Sequence, residues 1–97
     1  MKNGGDNVKK CFLCGRNGNG DRLERHHIFG GANRKLSEKY GLTVFLCGSR
    51  CHRDGAFSAH SNADVAEYLH KYGQLKVMTE QGWDVEKFIE VFGKNYL

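Results

Sequence analysis

Two cysteine pairs constrain this chain more than anything else in it. Cys11-Phe-Leu-Cys14 and Cys47-Gly-Ser-Arg-Cys51 stand over thirty residues apart, in a half of the chain that is short of core-forming residues. Ten of the thirteen glycines precede Ala56, and there is no proline. Ninety-seven residues, 39% of them apolar, make one domain at the small end of what folds unaided, so a loop-rich half needs a disulfide or metal staple. The Cys-x2-Cys spacing lets one tight turn offer two sulfurs to one ion, with Gly15 permitting the turn, and Cys-x3-Cys at a strand end is a looser clip. Structural zinc takes four tetrahedral ligands and favours thiolates, so Cys11, Cys14, Cys47 and Cys51 are the expected ligands of one structural Zn2+. His52 adjoins Cys51 and is an alternative fourth ligand. Such a site contributes on the order of 10 kcal/mol to folding, more than this core is expected to supply. Met1-Lys-Asn-Gly-Gly is followed by no apolar stretch of an export signal, which favours reduced thiols over two disulfides and a cytoplasmic location. No run is long and apolar enough to span a membrane, so no membrane partner is expected.

The net charge of +4 is unevenly spread. Residues 1–53 carry eleven Lys/Arg against four Asp/Glu, and residues 54–97 carry four against seven. The basic half is the half with the cysteines and most histidines, and a basic surface around a metal site suits a polyanion such as nucleic acid.

Residues 1–10 read as a basic, glycine-rich lead-in, and residues 11–97 as a single domain without internal repeat. Arg22 to Phe29 reads as a first strand ending at Gly30-Gly31, and Leu42 to Leu46 as a second. Ala32 to Tyr40 between them is a loop or short helix. Beyond Cys51, Ser61 or Asn62 can cap a helix whose apolar stripe is Val65, Leu69, Tyr72 and Leu75, broken at Gln81-Gly82. Asp84 caps a last helix, with Val85, Phe88, Ile89 and Phe92 on one face, Trp83 and Phe88 at hydrophobic-staple positions, and Gly93 as its stop. The expected class is α+β: knuckle, strand, loop, strand, metal-rich turn, two helices.

His26-His27 lies between the cysteine pairs, and His52 and His60 follow the second strand. Adjacent residues on a strand face opposite ways, so one histidine of the pair can face a metal and the other a water or phosphate. A neutral imidazole accepts protons at cellular pH, and a nearby cation stabilises charge on a phosphorane and its leaving oxygen. His26, His52 and His60 are close enough in sequence to converge on one ion, whereas His70, beside Leu69, reads as an ordinary hydrogen-bonded or surface histidine.

The segment from His26-His27-Ile-Phe-Gly-Gly through Ser37-Glu-Lys-Tyr-Gly-Leu-Thr-Val-Phe-Leu-Cys47, with Cys51-His52 and His60 after it, resembles an HNH endonuclease. It is similar to small HNH proteins of bacteriophages and prophages, which end in a segment like Phe92-Gly-Lys-Asn-Tyr-Leu97, and the resemblance covers residues 11–97. It implies a ββα-metal finger with a zinc knuckle and two C-terminal helices. It implies further that His27 is the general base, that His26 is a metal ligand, and that the paired cysteines hold structural zinc. His60 and His52 both fit the position that completes the metal site; a His52 beside a zinc-bound Cys51 would be strained as a ligand of another ion, which favours His60. The family's middle asparagine has no counterpart in Gly41-Leu42-Thr43, and Asn33 and Thr43 are the candidates for its role.

The expected activity is therefore metal-dependent hydrolysis of DNA phosphodiester bonds, in the cytoplasm of a bacterial host, by a monomer or homodimer. Arg25, Arg34, Lys35, Arg50 and Arg53 are the candidate phosphate contacts, and the catalytic cation is Mg2+, Mn2+, Ni2+ or Zn2+. The alternative is a catalytically weak HNH fold that binds nucleic acid or protein, as a phage regulator or inhibitor. A zinc-ribbon DNA-binding module explains the cysteines and the charge but leaves His26, His27 and His60 unemployed.

Overall fold

Strands β1 (Leu23–His27) and β2 (Thr43–Cys47) pair antiparallel, with Leu23 opposite Cys47, His26 opposite Val44 and His27 opposite Thr43. The computed structural model describes residues 9–97, and most of the basic lead-in expected over residues 1–10 lies outside the described residues. Between the strands come a single helical turn (Gly31–Asn33) and the short helix α1 (Arg34–Lys39). A wide, π-type turn over Gly48–Arg53 follows β2, and then helices α2 (Ala63–Gln81) and α3 (Val85–Phe92). The domain is α+β, as its sequence suggests.

Both strands differ slightly from their expected bounds, and at the ends next to α1 one reason serves for both. Ile28 and Phe29 leave the ladder after His27 and turn into the core, where each is almost wholly buried. Leu42, also buried, accepts from Ile28 N at 3.0 Å and donates its own N–H to Ser37 O at 2.8 Å. Those bonds tie the strand ends to α1 and leave the paired segment to begin at Thr43.

The buried Ser37 hydroxyl fixes α1 more firmly. It accepts from Phe29 N at 2.9 Å and donates to Phe29 O at 2.8 Å. Helix α2 lies over the same place, because Gly73 offers no side chain there: a Cβ at Gly73 would come within 2.7 Å of Ile28 Cγ2 and 2.9 Å of Phe29 Cε2. The core stripe of α2 is accordingly Leu69, Gly73 and Val77, with Val65 and Tyr72 at its margin. Leu75 is exposed rather than part of that stripe, and on α3 Ile89 is exposed while Phe88 and Phe92 are buried.

The helix ends follow their signals. Asn62 Oδ1 accepts from Asp64 N and Val65 N at 2.9 and 3.1 Å, and Asp84 accepts from Lys87 N at 2.8 Å. Gly82 and Gly93 stop α2 and α3. Buried Gln74 clamps the C-terminal segment onto α2, donating to Asn95 Oδ1 at 2.9 Å and accepting from Tyr96 N at 2.7 Å. Among the described residues, no helix is long and apolar enough to cross a membrane.

Candidate functional site

The wide turn Gly48–Arg53 contributes Cys51 and His52 to two separate clusters, each of which could hold a metal ion. Asp21 anchors it, with its two carboxylate oxygens accepting from Ser49 N and Arg50 N, each at 2.9 Å. These backbone bonds hold the Asp21 carboxyl below the usual aspartate range, with help from Arg50 and Arg53. Successive side chains on a helical turn point in different directions, so Cys51 and His52 are delivered to separate places.

In the first cluster, the sulfurs of Cys11, Cys14, Cys47 and Cys51 all lie within 4.8 Å of one another. Cys14 Sγ is 3.5 Å from Cys47 Sγ, far beyond disulfide length and close to the roughly 3.8 Å edge of a tetrahedron of zinc–sulfur bonds. The knuckle closes through Gly15 N, which donates to Cys11 O at 2.9 Å with Gly15 at φ +80°, and Cys14 N lies 3.4 Å from Cys11 Sγ. Three of the cysteines are buried, and Cys14 is exposed. Burial followed by the neighbouring cysteines pushes the Cys47 thiol up to about 11 and Cys51 further in the same direction. At Cys14, burial acts upward too, but hydrogen bonds to Arg16 and to the other cysteines outweigh it and bring the thiol down to about 6. A divalent cation deprotonates coordinated thiols outright, so four converging thiols in a mostly buried cluster are suited to a metal such as zinc.

In the second cluster, ligand nitrogens of His26, His52 and His60 all lie within 4.8 Å of one another. His26 comes from β1, His52 from the turn, and His60 from the segment before α2. That segment is laced to the turn: Ala59 N donates to Cys51 O at 2.8 Å and His60 N to His52 O at 3.0 Å. The lacing brings His60 Nε2 to 3.1 Å from His52 Nε2, against about 3.4 Å expected for two imidazoles on one tetrahedral zinc. His52 thus reaches the histidine cluster while its neighbour Cys51 serves the cysteine cluster, and the choice between His52 and His60 does not arise in the geometry. Glu24 accepts from His52 Nδ1 at 2.8 Å and fixes the tautomer whose Nε2 is free to coordinate. The same bond holds Glu24 below the usual carboxylate range, reinforced by Arg53 at 3.1 Å. Burial, then the charges of His52 and His60, lowers His26 to about 4 and keeps it neutral, the form in which an imidazole is able to bind a metal.

His27 points to the other face of β1, where its Nε2 meets Glu38 of α1, and Arg25 meets the same Glu38 oxygen. Among the described residues the sheet has only β1 and β2, and residues from both faces of β1 line one cleft. The cleft has a volume of about 410 Å3 and is lined by Arg25, His26, His27, Arg34, His52 and His60.

The remaining candidates fall elsewhere. Asn33 donates its amide to Phe92 O at 3.0 Å, so that group is committed to α3. Thr43 is the cross-strand neighbour of His27. Arg53 pairs with Glu24, Arg50 lines a separate apolar groove beside Cys14 and Phe57, and Lys35 is exposed on α1. His70 is half-buried, stacked on Phe29 at 5.4 Å and close to Tyr96, with burial holding its pKa down. The residues that sequence reasoning missed are the carboxylates Glu24 and Glu38, each a partner of a site histidine.

No family model, curated protein or solved structure matches this chain.

Proposed function

We propose that this chain is a metal-dependent HNH-type endonuclease that hydrolyses DNA phosphodiester bonds, with Zn2+ held by the four cysteines as a structural ion. The observation that carries the reading is the shared cleft: His26, His52 and His60 converge within 4.8 Å, and His27 lines the same opening with Arg25 and Arg34. A divalent cation held by His26, His52 and His60 would neutralise charge on the phosphoryl group and the leaving 3′ oxygen. Three nitrogen donors suit Mn2+, Ni2+ or Zn2+, and Mg2+ with added waters is the remaining candidate.

His27 is the base. It takes a proton from water as the water oxygen bonds to phosphorus; the P–O3′ bond breaks, its electron pair leaves on the 3′ oxygen, and the imidazolium later releases its proton to solvent. Arg34 and Arg25 hold the phosphate oxygens. The basic first half of the chain supplies the long-range attraction, so binding weakens as salt rises.

A binding module without chemistry is the second reading, and it is favoured by Asn33, whose amide is spent on Phe92 O. Supercoiled plasmid distinguishes the two. The nuclease reading expects nicking that stops with EDTA and returns when a divalent cation is added back, and that is lost in His26→Ala. DNA binding without cutting under every one of the four cations supports the module and overturns the nuclease.

A further inference from the structure

The base assigned to His27 needs a partner that fixes its ring, and α1 provides one. Glu38 Oε2 contacts His27 Nε2 and the Arg25 guanidinium at once. The placement is imposed by the core: the preceding residue, Ser37, is fully buried and bonded twice to the Phe29 backbone, while Leu42 N donates to Ser37 O. Glu38 is thereby held over the end of β1, with its side chain 45% exposed and that of His27 only 12% exposed.

Resting on the nuclease reading above, we propose that Glu38 is the positioning residue of His27: it accepts the Nε2 proton and leaves Nδ1 as the nitrogen that takes the proton from water. The chemistry follows from the inventory of donors. An ionised carboxylate only accepts, so the bond to Glu38 requires the proton on Nε2, and a neutral imidazole with Nε2–H carries its lone pair on Nδ1. The hydrogen bond from His27, then the charge of Arg25, holds Glu38 below the usual carboxylate range and keeps it ionised. When Nδ1 gains the water proton, the same carboxylate stabilises the imidazolium. Arg25, tied to the same oxygen, keeps Glu38 turned toward β1 and is itself held at the mouth of the cleft.

The test pairs a spectroscopic readout with kinetics. In wild-type protein, 1H–15N NMR at alkaline pH is expected to show His27 protonated on Nε2, with that proton hydrogen-bonded and protected from exchange. Glu38→Ala should lose the protection and lower kcat by about 10- to 100-fold, beyond any change in KM from release of Arg25. Glu38→Gln, whose amide oxygen still accepts from Nε2, should keep the protected proton and recover part of the rate. A proton on Nδ1 in the wild type, or a Glu38→Ala protein with an unchanged His27 signal and unchanged kcat, overturns the proposal. His27→Ala and wild type separate the two claims: DNA binding with no cutting by metal-loaded wild type sinks the nuclease reading, His27→Ala cutting at the wild-type rate sinks the base role of His27 and the role of Glu38 with it, and a dead His27→Ala beside a fully active Glu38→Ala sinks only the role of Glu38.

Discussion

Glu24 and His52 sit 28 residues apart in the chain and meet at 2.8 Å, with the carboxylate on Nδ1 and the free Nε2 turned toward His60. A carboxylate behind a ligating imidazole sets its tautomer and raises its basicity, and its removal costs about 10- to 100-fold in metal affinity. Glu24→Ala should therefore weaken Ni2+ or Zn2+ binding at the histidine cluster by that factor in a competition titration, while the metal content of the cysteine cluster stays unchanged.

Zinc held by the cysteine cluster, as proposed, would carry the fold of the N-terminal half. Structural zinc of this kind contributes on the order of 10 kcal/mol. Cys47→Ser should lose bound zinc by elemental analysis and lose the cooperative thermal transition, and strong chelation of the wild type should have the same effect. A chelated protein with an unchanged melting profile would show that the helices and Leu42, Leu46 and Phe29 suffice alone.

Ser37 links the core to the site. Removing its hydroxyl leaves the Phe29 N–H and C=O without their partner in a buried place, an expected loss of about 1–3 kcal/mol in urea titration of Ser37→Ala. Gly73→Ala tests the adjacent contact from the other side. A methyl within 3 Å of both Ile28 and Phe29 should cost about 1–3 kcal/mol, since neither neighbour is the free end of a flexible side chain.

The pattern of what the sequence makes legible has a physical basis. The caps Asn62 and Asp84, the stops Gly82 and Gly93, and the paired cysteines act within a few residues of themselves, and they are readable from spacing alone. The three-histidine convergence is readable as a possibility, because all three flank one strand–turn unit. Glu38 and Glu24 are not readable as partners, because a charged residue on a short polar helix or a strand is ordinarily solvated, and their histidines lie 11 and 28 residues away. Leu75 and Ile89 fit a helical period yet face outward, because the close approach at Gly73 rolls α2 toward Leu69 and Val77, and because α3 buries only its Phe88–Phe92 side.

Asp21 gives the turn a defined pH response. Its folded pKa lies below that of an unfolded aspartate, about 4. The unfolded state therefore binds more protons in that window, and the Asp21 contribution is fully present above it and lost as pH falls through the folded pKa. Asp21→Asn should be less stable than wild type at neutral pH, and the difference should close on acidification. Comparing the two proteins cancels any acid loss of metal common to both, and amide exchange at Ser49 and Arg50 reports the same loss locally.

The central claim is that His27 and the histidine cluster act together on a phosphodiester. Its most direct test is the single-turnover nicking rate of purified wild-type and His27→Ala proteins on supercoiled plasmid, with zinc content and added divalent cation matched. A general base contributes about 100- to 10,000-fold, so His27→Ala should retain DNA and metal binding and cut slower by that factor. Equal rates for the two proteins, or no cutting by a metal-loaded wild type, would contradict the account.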